Sequence, residues 1–168
     1  MKRGFPIGLV VLGTLLTIGA ISWLYFENAT GNSATIYLPD QLATLPRTDY
    51  RTGAQAMAEF ESLHGKQFPL ISGAIGIYGD QQITVWAAFT SSELIASQMV
   101  ESMRKRIAEG NSPFTPLTQD NNNNRLVYVL EGMGQKHFYF QSKNLVIWVA
   151  VEPALADTVI QQTLEVYP

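Results

Sequence analysis

Cysteine is absent from the 168 residues, histidine occurs only twice, and charged residues make up 15% of the chain. Without cysteine there is no disulfide framework, no thiolate nucleophile and no sulfur-based zinc site, so the fold must be held by its apolar core alone. Acid–base catalysis usually recruits histidine, yet His64 and His137 lie far apart in sequence and belong to no H-x-H or H-E-x-x-H pattern. No serine sits in a G-x-S-x-G elbow, and Gly132-Met133-Gly134 lacks the third glycine and the helix of a nucleotide loop. Asp120 beside the run Asn121 to Asn124 has the composition of an oxygen-ligand site but not the spacing of a calcium loop. No catalytic residue, metal or cofactor is therefore expected.

Positive charge is also scarce. Of eleven Lys and Arg, Lys2 and Arg3 precede the first apolar run, which leaves nine against fourteen Asp and Glu. A nucleic-acid partner needs a basic footprint, and this balance excludes one.

What the sequence does have is an uncharged stretch from Phe5 to Phe26. As a helix it is long enough to cross about 30 Å of hydrocarbon, and a cleaved signal peptide has a shorter apolar core of about 7 to 15 residues. Lys2 and Arg3 in front of it predict a cytoplasmic amino terminus by the positive-inside rule. The expected organisation is a basic n-region over 1–4, a transmembrane signal-anchor over 5–26, a polar spacer over 27–34 and an extracytoplasmic α+β domain over 35–168. The bilayer is then a partner through residues 5–26.

Within the domain, hydrophobic periodicity predicts a short edge strand at Thr35 to Leu38 and an irregular crossing through Leu42, Leu45 and Pro46. Thr52 with Gln55 and Thr90 with Glu93 read as capping boxes that open two helices, which Gly65 and Gly110 close. Strand-like runs cover Ser72 to Tyr78, Gln82 to Phe89, Arg125 to Glu131, Lys136 to Gln141 and Asn144 to Val151, and a last helix begins at Pro153. The stretch from Asn111 to Asn124, with Pro113, Pro116 and the asparagine run, reads as a mobile loop.

Ala74 to Met103 and His137 to Leu164 share the order strand, turn, strand with a central Trp, helix. This predicts an antiparallel sheet built from a duplicated ββα unit, with the helices packed on one face. Alternation sends Ile83, Val85, Ala87 and Phe89 to one face, while a two-residue Lys143-Asn144 turn sets Tyr139 opposite Trp148 on the other. That second face is too apolar to stay open to water. Either the segments at Gly110 to Asn124 and before Tyr50 cover it, or a partner does.

Trp86, Tyr139, Trp148 and His137 are thus the candidate binding residues. The expected function is a non-catalytic binding or assembly module of the cell envelope that meets another envelope protein. One alternative is a small-ligand or sensing domain with a pocket lined by Trp86, Tyr139 and Trp148. Another is a hydrolase using His64 or His137 with a carboxylate such as Glu61 or Asp49.

Overall fold

A computed structural model describes residues 16–19, 22, 36–64, 69–110, 112–122 and 125–168. The chain divides into two units, Met1–Ser33 and Ala34–Pro168. In the first unit residues 16–19 and 22 are helical and the remainder lies outside the described residues. The expectation of a single transmembrane helix is corrected here, because among the described residues no helix is long and apolar enough to cross a membrane. Most of the stretch from Phe5 to Phe26, and the expected spacer over 27–34, lie outside the described residues. The single-pass, extracytoplasmic placement that rested on that helix loses its support.

The second unit contains strands β1 (Gln41–Leu42) and β2 (Leu45–Thr52), helix α1 (Gly53–His64), strands β3 (Leu70–Tyr78) and β4 (Ile83–Thr90), and helix α2 (Glu93–Ala108). There follow β5 (Thr115–Asn122), β6 (Arg125–Gly132), β7 (Gln135–Ser142), β8 (Leu145–Val151), a short 3-10 turn (Pro153–Leu155) and α3 (Ala156–Val166). The strands form one antiparallel sheet in the order β1-β2-β3-β4-β8-β7-β6-β5.

Tyr139 pairs with Trp148, as a two-residue turn at Lys143 and Asn144 requires. At the centre of the sheet β4 pairs with β8, which places Trp86 directly opposite Trp148. Helix α2 is capped by Ser92, whose hydroxyl accepts from the Ile95 N–H at 3.3 Å, and not by Thr90. The Thr90 hydroxyl instead lies 2.8 Å from the Ser92 carbonyl and 3.0 Å from that of Asn144, tying the start of the helix to the β7–β8 turn.

Both faces of the sheet are covered, which is why β8 reads as an almost unbroken apolar run, LVIWVAV. On one face Val85, Ala87, Phe140, Ile147 and Val149 pack under α3 through Ala156 and Val159, together with Ile36, Leu38 and Leu42. On the other, Ile75, Tyr139 and Val146 pack with Trp86 and Trp148 under Ala56 and Phe60 of α1 and Ala96, Val100 and Ile107 of α2. At Gly73 a Cβ would meet the Phe60 ring at 2.4 Å, so the missing side chain is the notch into which α1 settles.

This arrangement corrects the expected architecture. The helices do not share one face: α2, which follows β4, and α3, which follows β8, lie on opposite sides of the sheet. The structure gives no evidence of a duplicated ββα unit, since two copies of one unit would send their helices to the same side. Period-2 alternation, common to all amphipathic hairpins, accounts for the matching residues around Trp86 and Trp148. Cover of the second face comes mainly from α1 and α2, with Phe114 added, while the segment before Tyr50 closes the opposite face.

Two strands replace expected loops. β2 pairs with β3 over Arg47 to Thr52, and β5 pairs with β6 from Thr115 to Asn122. In β5 the register shifts between Pro116 and Thr118, a bulge at Leu117 that accommodates the proline at the margin of the sheet.

Candidate functional site

The four sequence-derived binding residues lie on one face of the sheet: Tyr139 and Trp148 stack, His137 is tilted against Trp148, and Trp86 pairs across the sheet with Trp148. Tyr139 lies between Tyr128 and Trp148, with ring centroids 4.6 and 5.2 Å away and the planes within 9° and 13°. His137, two residues before Tyr139 and on the same face, is 4% exposed. Its ring is 4.6 Å from that of Phe114, which also caps Trp148 at 5.1 Å.

The chemistry of the partners fixes the state of His137. An indole N–H can only donate, so Nδ1 accepts from Trp148 Nε1 at 3.2 Å and the proton must sit on Nε2. Nε2–H then donates to the Gly132 carbonyl at 3.1 Å. Burial pushes the His137 pKa below the ordinary histidine value, and the Gly132 carbonyl offsets this in part. The imidazole is held neutral with both nitrogens occupied. Tyr139 is pushed well up from the ordinary phenol value, first by burial and then by Tyr128 beside it.

Gly132 is part of this assembly through its lack of a side chain. A Cβ there would meet the Phe114 ring at 2.6 Å and the Pro113 carbonyl at 2.9 Å. Trp86 contributes to the same face, but among the described residues its buried indole nitrogen has no hydrogen-bond partner.

The carboxylates considered with the histidines lie elsewhere. Asp49 pairs with Arg51 at 2.6 Å and is held below the usual carboxylate range by that hydrogen bond, while Arg51 also bridges to Glu59. His64 ends α1, and its side chain lies outside the described residues. Glu61, on α1, makes no ion pair among the described residues.

Two depressions occur at the end of the sheet that carries the β7–β8 turn. One, of about 400 Å³, is lined by Phe89, Leu145, Val166, Tyr167 and Glu93 among others. The second, of about 330 Å³, lies between α2 and β6 and is lined by Ser97, Val100, Arg125, Leu126 and Tyr128 among others. Lys143 lines both. None of Trp86, His137, Tyr139 and Trp148 lines either one.

The turn that holds Lys143 is fixed on several sides. The Gln141 side-chain amide reaches the carbonyls of Glu93 and Lys143, each at 2.9 Å, and the Thr90 N–H donates to the Asn144 carbonyl at 2.9 Å. Lys143 has φ +52°, a left-handed conformation in which a side chain is strained. Nearby, Arg104 grips Glu101 at 2.7 and 2.8 Å and keeps its carboxyl below the usual range. Arg125 donates to the Tyr167 carbonyl and lies over the Phe140 ring. Among the described residues Lys143 has no ion-pair partner; Leu126, which lines the second hollow with it, is 43% exposed, and Leu94, next in sequence to Glu93 of the first hollow, is 65% exposed.

Sequence reasoning did not find this site. Lys143 was legible as a turn residue, but the hollows on either side of it are lined by α2 and by the end of α3, which only tertiary packing brings there. Comparisons with protein-family models, curated proteins and solved structures found no match to this chain.

Proposed function

We propose that the Ala34–Pro168 domain is a non-catalytic binding module that takes a protein partner at the Lys143 end of the sheet. The observation that carries this reading is the position of Lys143: a residue of strained backbone in a hydrogen-bonded turn, with no ion-pair partner among the described residues, between two depressions of about 400 and 330 Å³. Exposed Leu126 supplies apolar surface in the second hollow, and exposed Leu94 follows Glu93 of the first. The partner that fits is a segment presenting apolar side chains next to a carboxylate: the side chains enter the hollows and the carboxylate meets Lys143 and Arg125. Burying two such side chains fully contributes about 3 to 6 kcal/mol. The charge governs orientation and association rate more than affinity.

A photo-crosslinking side chain placed at position 143 of the full chain, in its native cell, tests this. The expected result is one discrete protein adduct from position 143 and none from position 81, in the β3–β4 turn at the opposite end. Equal labelling from both positions, or none from 143, overturns the reading. A small-molecule adduct at 143 favours a ligand site in its place.

A further inference from the structure

His137 links three parts of the fold that are otherwise held by different interactions. Its Nε2–H bonds the Gly132 carbonyl at the β6–β7 turn, its Nδ1 takes the Trp148 indole on β8, and its ring supports Phe114 on the segment between α2 and β5. Phe114's own N–H bond is local, to the Ser112 hydroxyl at 3.2 Å. Among the described residues the Phe114 ring is seated on the imidazole, the Trp148 indole and the bare Cα of Gly132.

We infer that His137 is a proton-operated latch: protonating Nδ1 expels the Trp148 indole, unseats Phe114 and exposes the aromatic face beneath it. In the neutral ring Nε2 carries the proton and Nδ1 is an acceptor. A solvent proton on Nδ1 makes both nitrogens donors, so two N–H groups face each other across the former 3.2 Å bond. The imidazolium keeps a single acceptor, Gly132, in an apolar site, and a buried charge without a counter-charge is expensive. Turning the ring to water is the relief, and Phe114 lies in its way.

The charged neighbours offer no local remedy. On β7, Lys136 points to the opposite face and Tyr139 is in the stack. β6 carries Tyr128, also in the stack, and Arg125 and Glu131, on the opposite face. On β8's end Glu152 bonds Gln82, and on α2 Arg104 and Lys105 pair with Glu101 while Arg106 and Glu109 lie exposed. Ser112, Pro113 and Phe114 have no titratable side chain. None of these groups hydrogen-bonds or ion-pairs with His137.

Nitrogen-detected NMR of the full chain, together with tryptophan fluorescence, binding of an anilinonaphthalene dye and far-ultraviolet dichroism, tests the latch between pH 7.5 and 4.5. The expected result is an Nε2–H tautomer at pH 7.5, a His137 midpoint below about 6.5, and a fluorescence change and dye uptake at that midpoint with the dichroism unchanged. H64Q keeps the transition and H137Q, which cannot titrate, loses it. F114A, with the ring removed, takes up dye already at pH 7.5, and this supplies a readout should H137Q not fold. An Nδ1–H tautomer, an aromatic transition that survives in H137Q, a His137 titration that leaves the tryptophans unmoved, or simultaneous loss of the dichroism overturns the proposal.

Discussion

Trp86 and Trp148 face each other across the β4–β8 pair at the centre of the sheet, yet among the described residues only Trp148 has a partner for its indole N–H. The difference makes opposite predictions for one substitution. Trp86→Phe removes a buried donor that has no partner among the described residues and should be close to neutral in urea unfolding. Trp148→Phe leaves Nδ1 of His137 an orphaned acceptor and should cost about 1 to 3 kcal/mol.

Two glycines act as notches, and an added methyl reads them separately. Gly73→Ala drives a Cβ to 2.4 Å from the Phe60 ring on α1, and Gly132→Ala drives one to 2.6 Å from the Phe114 ring. Each is expected to cost about 1 to 3 kcal/mol by overpacking. Gly132→Ala should also raise tryptophan accessibility to a small quencher, because Phe114 covers Trp148.

Lys143→Gly separates strain from recognition. Relief of a left-handed side chain, partly offset by the extra chain entropy of glycine, should stabilise the domain by about 0.5 to 1 kcal/mol. If the lysine charge engages the partner, affinity falls in the same variant that gains thermal stability. A variant that is both stabler and equally tight would remove Lys143 from the interface.

Stability should be limited at both ends of the pH scale. Tyr78 donates to the Pro39 carbonyl at 2.9 Å and Tyr167 to that of Tyr37 at 2.7 Å, and burial pushes both phenols well up. A folded pKa above the unfolded value of about 10 favours the fold below pH 10, and this is lost as the unfolded phenols ionise above it. His137 works in the other direction: its folded pKa lies below the unfolded value, so its contribution is whole above about pH 6.5 and declines as pH falls through that value. Urea midpoints should therefore plateau between about pH 7 and 10, and Tyr78→Phe should soften the alkaline decline.

Most of the strand and helix positions were legible, because alternation around Trp86 and Trp148 and helical spacing along Met99 and Met103 are local signals. The register of β7 on β8 followed from a two-residue turn. β5 was not legible: Thr115 to Asn122 has the composition of a loop, and it is a strand because β6 offers it backbone partners. The side on which each helix packs was also hidden, since an amphipathic helix shows which of its own faces is apolar but not which face of the sheet it meets. Trp86, Tyr139, Trp148 and His137 were found as a cluster on pattern alone. That His137 is bonded at both nitrogens depends on Gly132, whose role comes from a missing side chain and leaves no mark in hydrophobic periodicity.

The margin formed by β5 also bears on how molecules meet at high concentration. An unpaired outer strand invites a neighbour to add on and continue the ladder. Pro116 has no N–H to give such a neighbour, and the bulge at Leu117 breaks the spacing that an incoming strand would have to match. Addition of a strand at this margin is thereby disfavoured.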